Sequence, residues 1–240
     1  MDAANNTVNT SVFFDNVDKK KFNGKVNASA LFSREEGTNK LKTDIAISPS
    51  QAVWSDTTWV IEKSHIQIYP GVISIDNFNI HSALKDQFIN IDGKYSAANP
   101  DDEMKIDLEN IDLEYIFTSL AIDALNFGGR ATGTLLCSNV DGSPYANVNL
   151  KVDDFKFNNT NLGLLNLYSE VDEKEKKVNM KGTILDKDSR LTNIDGFINP
   201  LTQELSMHFD ADKIDIAFLN KYASSLFNNV KGQGTGKVHF

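Results

Sequence analysis

The chain has 240 residues, a formal net charge of −9 and a pI near 4.9. It has no Lys/Arg cluster with interleaved aromatics, which argues against a nucleic-acid groove, and the run Lys19-Lys20-Lys21 reads as a solvated turn. One cysteine, Cys137, excludes an internal disulfide and a cysteine-cluster metal site, and no apolar run reaches the roughly 18 residues of a membrane-spanning helix.

The Asn-rich start, Met1–Thr10, carries no signal-peptide pattern. Beyond it, period-two alternation dominates. Ile66 and Ile68, then Ile73 and Ile75, alternate with polar residues on either side of a Pro70-Gly71 turn. Asp112 is a candidate N-cap, after which Leu113, Ile116, Phe117 and Leu120 share one helical face; Gly128-Gly129 would end that helix. A turn at Asp141-Gly142 precedes the alternating Val148, Leu150 and Val152. Strands Leu164–Ser169 and Lys177–Ile184 flank a charged hairpin tip, Asp172–Lys176. Val178 and Met180, then Leu205, Met207 and Phe209, alternate again, and Asp215 opens a second helix pattern through Ile216, Leu219, Tyr222 and Leu226, closed by Gly232.

The two halves echo each other. Residues 90–136 lie over 193–239 without a gap at a constant offset of 103, matching Asn90-Ile91-Asp92-Gly93 to Asn193-Ile194-Asp195-Gly196 and Thr132-Gly133 to Thr235-Gly236. Gly24, Ser33 and Gly37 fall on Gly129, Ser138 and Gly142. The expected organisation is a tail of a preceding unit over 1–23, units over 24–128 and 129–231 of about 104 residues each, and the start of a third over 232–240. Such phasing reads as an interior piece of a longer protein.

A one-faced sheet must bury its apolar side. Two short helices cannot cover it, so the expected fold is mainly β: a curled antiparallel sheet, a half-pipe, with an apolar trough inside and tandem repeats stacked edge to edge. The candidate trough lining is Val148, Leu150, Val152, Val178, Met180, Leu205, Met207 and Phe209, all on one concave side. A charge at Phe209 or Val152 is expected to block passage and leave the sheet folded.

Four segments carry a family likeness: Thr58–Ile61, Ile73–Ile80 continuing through Asp86–Gly93, the strand–helix stretch Ile106–Leu125, and Gly129–Leu135 repeated as Gly232–Val238. Together they resemble the TamB/AsmA-like family of envelope proteins, in the TamB branch. The resemblance implies an elongated β-taco with a continuous apolar groove. It implies a periplasmic location, with the parent protein anchored in the inner membrane of a Gram-negative envelope. It also implies a role in phospholipid transport and outer-membrane biogenesis with a partner, TamA. Neither the anchor helix nor the partner-binding region is recognisable here.

No catalytic constellation emerges. His65, His81, His208 and His239 lie apart from any metal-spaced partner, with His65 and His208 expected on the polar strand face. Asp92 and Asp195, each beside a glycine, are expected to serve turns, and Asp101-Asp102-Glu103 lacks an EF-hand spacing. Gly128–Gly133 follows a helix and enters a strand, the reverse of a phosphate loop. With 15 Phe against 2 Trp and 6 Tyr, the aromatics suit an apolar interior better than a sugar platform. The expectation is a non-enzymatic conduit without cofactor or nucleic-acid partner, taking phospholipid acyl chains. The alternative is a closed-core structural or adhesive β-repeat.

Overall fold

The computed structural model describes residues 2–16, 22–54, 57–114, 126–140, 143–172, 174–199, 201–202, 204–223 and 229–239. The expected turn at Asp141-Gly142, the run Lys19–Lys21 and most of the first expected helix (Ile116, Phe117 and Leu120 among them) lie outside these residues. Among the described residues the fold is mainly β. Sixteen strands form an antiparallel sheet whose spatial order follows chain order, except that β6 takes a place beside β4 and β7. The chain divides into two compact units, residues 1–109 with 136–144, and residues 110–135 with 145–240.

The first unit begins with β1 (Asp2–Ala4), β2 (Thr7–Asn16), β3 (Phe22–Arg34) and β4 (Leu41–Trp54). The short strands β5 (Thr57–Ile61) and β6 (Ser64–Tyr69) share the space between β4 and β7 (Val72–Ser82); β8 (Phe88–Ser96) and the first part of β9 (Met104–Asp112) follow. Directly paired residues of neighbouring strands share a face. Register therefore puts Ala30, Ile45, Ile66, Ile75 and Met104 on one face, with Gly93 in the same row. One end of that face is closed by Ala52, Trp59 and Ile61, all buried.

The second unit contains most of β10 (Phe127–Val140) and β11 (Ser143–Phe157), then β12 (Thr160–Asp172), β13 (Lys177–Leu185), β14 (Leu191–Asn199), β15 (Glu204–Asp215) and β16 (Gln233–His239). Its core gathers Ala131, Val152, Phe155, Leu162, Leu165, Ile184 and Ile194. Asp215 caps the helical segment as expected, accepting from the Ala217 amide at 2.9 Å. The segment opens as a 3-10 turn, Ile216–Leu219, before α1 (Asn220–Ala223). The tighter turn changes which residue meets the sheet. Phe218 packs on the core and the half-exposed Tyr222 ring tilts against Phe157 at 6.4 Å, whereas Leu219, also expected to pack, is exposed.

Four strands bend at a bulge of one design. Ile75-Asp76-Asn77-Phe78, Leu108-Glu109-Asn110-Ile111, Val152-Asp153-Asp154-Phe155 and Ala211-Asp212-Lys213-Ile214 each place the third residue at a φ between 48° and 53°. The register shifts by one residue at three of them, so that the flanking apolar residues, three apart in sequence, point to the same face. Three of the displaced amides find a side chain on the next strand. Asn77 N donates to Asp92 Oδ1 at 2.9 Å, Asn110 N to Thr132 Oγ1 at 3.0 Å and Lys213 N to Thr235 Oγ1 at 3.0 Å. Asp92 therefore sits within a strand and serves a bulge. Asp195 also lies in a strand, 3.5 Å from His208 Nδ1. Neither belongs to a turn: the glycine that follows each, Gly93 or Gly196, lies within a strand and lets the neighbouring strand approach closely.

Candidate functional site: two apolar sheet faces

The expected lining residues fall on one face of the second unit. Val148, Leu150 and Val152 pair with Ser169, Leu167 and Leu165; these pair with Met180, Gly182 and Ile184. Met180 and Gly182 meet Gly196 and Ile194, which meet Met207 and Phe209. Val178 and Leu205 join through Ile198. The Leu205 side chain is not among those described.

Cover on this face is uneven. At the β11–β12 hairpin end it is closed: Phe127 stacks on Phe155 and Phe157 at ring separations of 6.0 and 5.3 Å, and Phe218 packs on Phe157 at 5.4 Å. Asn158 Nδ2 holds the segment by donating to the Phe218 carbonyl oxygen. Val152 is only 2% exposed there. A charge at Val152 would therefore be buried, which corrects the expectation that the sheet would tolerate it: alternation reports the face of a residue and not what lies over it. Away from the hairpin, Val148, Leu150, Leu167, Met180, Met207 and Phe209 are half-buried. The one buried polar group among them, Ser169 Oγ, accepts from Val148 N at 2.9 Å and donates to the Ala146 carbonyl at 3.2 Å.

The first unit presents a more open apolar face, which the sequence-based lining omitted. A single cross-strand row runs Phe32, Thr43, Ile68, Ile73, Tyr95 over β3, β4, β6, β7 and β8. Phe32, Ile68 and Ile73 are 39%, 41% and 40% exposed, and Leu41, on the same face one row outward, is 55% exposed. The alternation of Ile66, Ile68, Ile73 and Ile75 was the available signal. Phe32 was hidden because Ala30-Leu31-Phe32 is apolar on both faces. Within this row the polar members are Thr43 and Tyr95, whose hydroxyl accepts from Asn139 Nδ2 at 3.0 Å.

The titratable groups lie on the other face or at strand ends. His65 approaches Asp44 at 3.5 Å, and the His208 and His239 rings stack 4.1 Å apart. His81 is held between the Ser82 carbonyl oxygen, 2.7 Å from Nδ1, and the Glu62 carboxylate, 3.0 Å from Nε2. These two acceptors, in that order, raise its pKa against a smaller opposing effect of burial. Among the described residues no group of three or more His, Cys, Asp or Glu is arranged to hold a metal ion, and no helix is long and apolar enough to cross a membrane.

Comparison with known proteins returns no family model, no curated protein and no solved structure that matches the chain.

Proposed function

We propose that the chain is a non-enzymatic, apolar-groove segment of a periplasmic protein, and that it carries phospholipid acyl chains between the inner and outer membranes. In this reading the sheet curls into an open trough of the TamB/AsmA-like kind, built from repeats of about 104 residues. Acyl chains lie against the apolar face while head groups stay in water. Each methylene withdrawn from water contributes about 0.8 kcal/mol, enough in sum to hold a chain while no single contact prevents sliding. An outer-membrane assembly factor of the TamA kind would engage regions other than the residues described.

The observation that carries the reading is the exposed row Phe32, Ile68 and Ile73, with Leu41 beside it. Large apolar side chains that share a sheet face and remain about two-fifths exposed are costly in water unless a ligand covers them. The closed core around Val152 favours the second reading, a structural or adhesive β-module, for the hairpin end of the second unit.

The test is lipid extraction of the purified chain with mass spectrometry, joined to a photo-crosslinking scan. Crosslinkers at Ile68 and Ile73 should capture phospholipid, and one at Tyr168 on the polar face should not. Equal capture at all three, or lipid-free protein, would refute the conduit.

A further inference from the structure

The open apolar face of the first unit ends in one cation. Arg34 pairs directly with Leu41, and Phe32 pairs with Thr43 one row inward, so Arg34 emerges on the same face as Phe32, Leu41, Ile68 and Ile73. Its guanidinium spends one donor on the Asn39 carbonyl oxygen at 2.9 Å. Arg34 is exposed, and among the described residues it forms no ion pair. The neighbouring Glu35 carboxylate is engaged by the Thr38 hydroxyl at 2.6 Å. Lys42 pairs with Asp44 on the opposite face at 3.5 Å. Glu36 and Lys40, both exposed in the turn, balance each other in charge. The charges of this end balance overall, but Arg34 is the one that register places at the head of the apolar face, in a chain whose net charge is −9.

Inward from Arg34, the rows of Phe32/Thr43, Ala30/Ile45 and Ala28/Ile47 extend the same face without interruption by a charge. Six residues of strand separate Arg34 from Ala28, about 20 Å of largely apolar surface. A planar guanidinium with free donors at the head of an apolar strip suits an amphiphile with an oxyanion such as phosphate at one end and hydrocarbon behind it.

We infer that Arg34 is the headgroup-phosphate anchor of this face, so that the first unit selects anionic phospholipid over uncharged lipid with the same chains. The inference rests on the proposed conduit reading and adds a specificity-determining residue to it. A charged anchor at the strip's end also sets the orientation of the lipid, chains inward along β3 and β4 and phosphate at the turn that joins them.

The experiment titrates the full chain with three probes: dihexanoylphosphatidylglycerol, dihexanoylglycerol, which lacks the phosphate, and glycerol phosphate, which lacks the chains. Arg34 is exposed, so Arg34→Gln should melt with the parent. The variant should bind the phospholipid about fivefold to tenfold more weakly, bind dihexanoylglycerol as the parent does, and be restored in large part by Arg34→Lys. Glycerol phosphate alone should bind far more weakly than the phospholipid. If Arg34→Gln leaves phospholipid affinity unchanged, or weakens both lipids equally, the anchor is refuted and the groove stands. If glycerol phosphate binds as well as the phospholipid, Arg34 is a plain anion site and the inference fails. If the parent binds neither lipid, anchor and conduit fall together.

Discussion

Asn110 and Thr132 are joined by a hydrogen bond from the Asn110 amide to Thr132 Oγ1, and the same bond, at the same 3.0 Å, joins Lys213 to Thr235. Each partner is displaced by 103 residues, as are the caps that follow, Asp112 to the Glu114 amide and Asp215 to the Ala217 amide, both at 2.9 Å. The displaced amide of a bulge has no ladder partner, so the threonine hydroxyl supplies it. Thr132→Val should cost about 1–2 kcal/mol, because its amide partner is part-buried. Thr235→Val should cost about half as much or less, since water reaches the exposed Lys213 amide. Urea unfolding of the two variants measures the difference.

The glycines beside these threonines separate steric clash from backbone strain. Gly133 and Gly236 share a φ of 151°, but a Cβ on Gly133 would lie 2.0 Å from the Asn149 carbonyl oxygen, whereas one on Gly236 meets nothing within 4 Å. Gly133→Ala is expected to cost about 3 kcal/mol or more, and Gly236→Ala about 1 kcal/mol. Thermal melts of both variants should show this order.

Open and closed parts of the apolar faces should respond oppositely to charge. Val152→Glu puts a carboxylate into a sealed core and should destabilise by several kcal/mol, enough to aggregate the chain. Ile68→Glu and Ile73→Glu leave the carboxylate in contact with water and should shift the melting temperature by only about 1–3 °C. Lipid capture should nonetheless fall in both exposed-site variants.

His81 gives a pH dependence with a defined sign. Its folded pKa is raised above 6.5 by the Ser82 carbonyl and then by Glu62. The native state therefore holds a proton that the unfolded chain releases first. The stabilisation is complete below the unfolded pKa and is lost as pH rises through the folded value. Glu62→Gln replaces the charged acceptor with a neutral, weaker one, so it favours the imidazolium less and should flatten the fall in denaturation midpoint above pH 6.5. A variant that keeps the parent slope would exclude His81 as its source.

Burial raises the Cys137 thiol above its ordinary pKa. The native thiol is correspondingly short of thiolate at neutral pH. Iodoacetamide should label it more slowly than a free cysteine at pH 7.5, and at the free rate in denaturant.

Much of the sheet was legible because alternation and turn chemistry are local. Val148, Leu150 and Val152, with Val178, Met180, Met207 and Phe209, share a face because strands have period two. Asp215 was legible as a cap from its side chain alone. The bulges were not, since Val152 and Phe155 share a face at a spacing of three, which mimics a helical step. Leu162 was missed for the same reason: a register shift beside Gly163, at a φ of 110°, turns it into the core. The open face of the first unit was half legible. Ile68 and Ile73 announced an apolar strand face, but their exposure depends on which elements fail to cover them, and that is a property of the whole unit.

Among the described residues nearly every strand pairs with the one made just before it, and the shared place of β5 and β6 between β4 and β7 is the only detour. Such a meander closes short loops first and needs few distant encounters, so it can zip hairpin by hairpin as polypeptide becomes available. It also tolerates growth. A strand pair inserted between two hairpins leaves every other register untouched, so chains of this kind can be lengthened by duplication without redesigning the strands already in place.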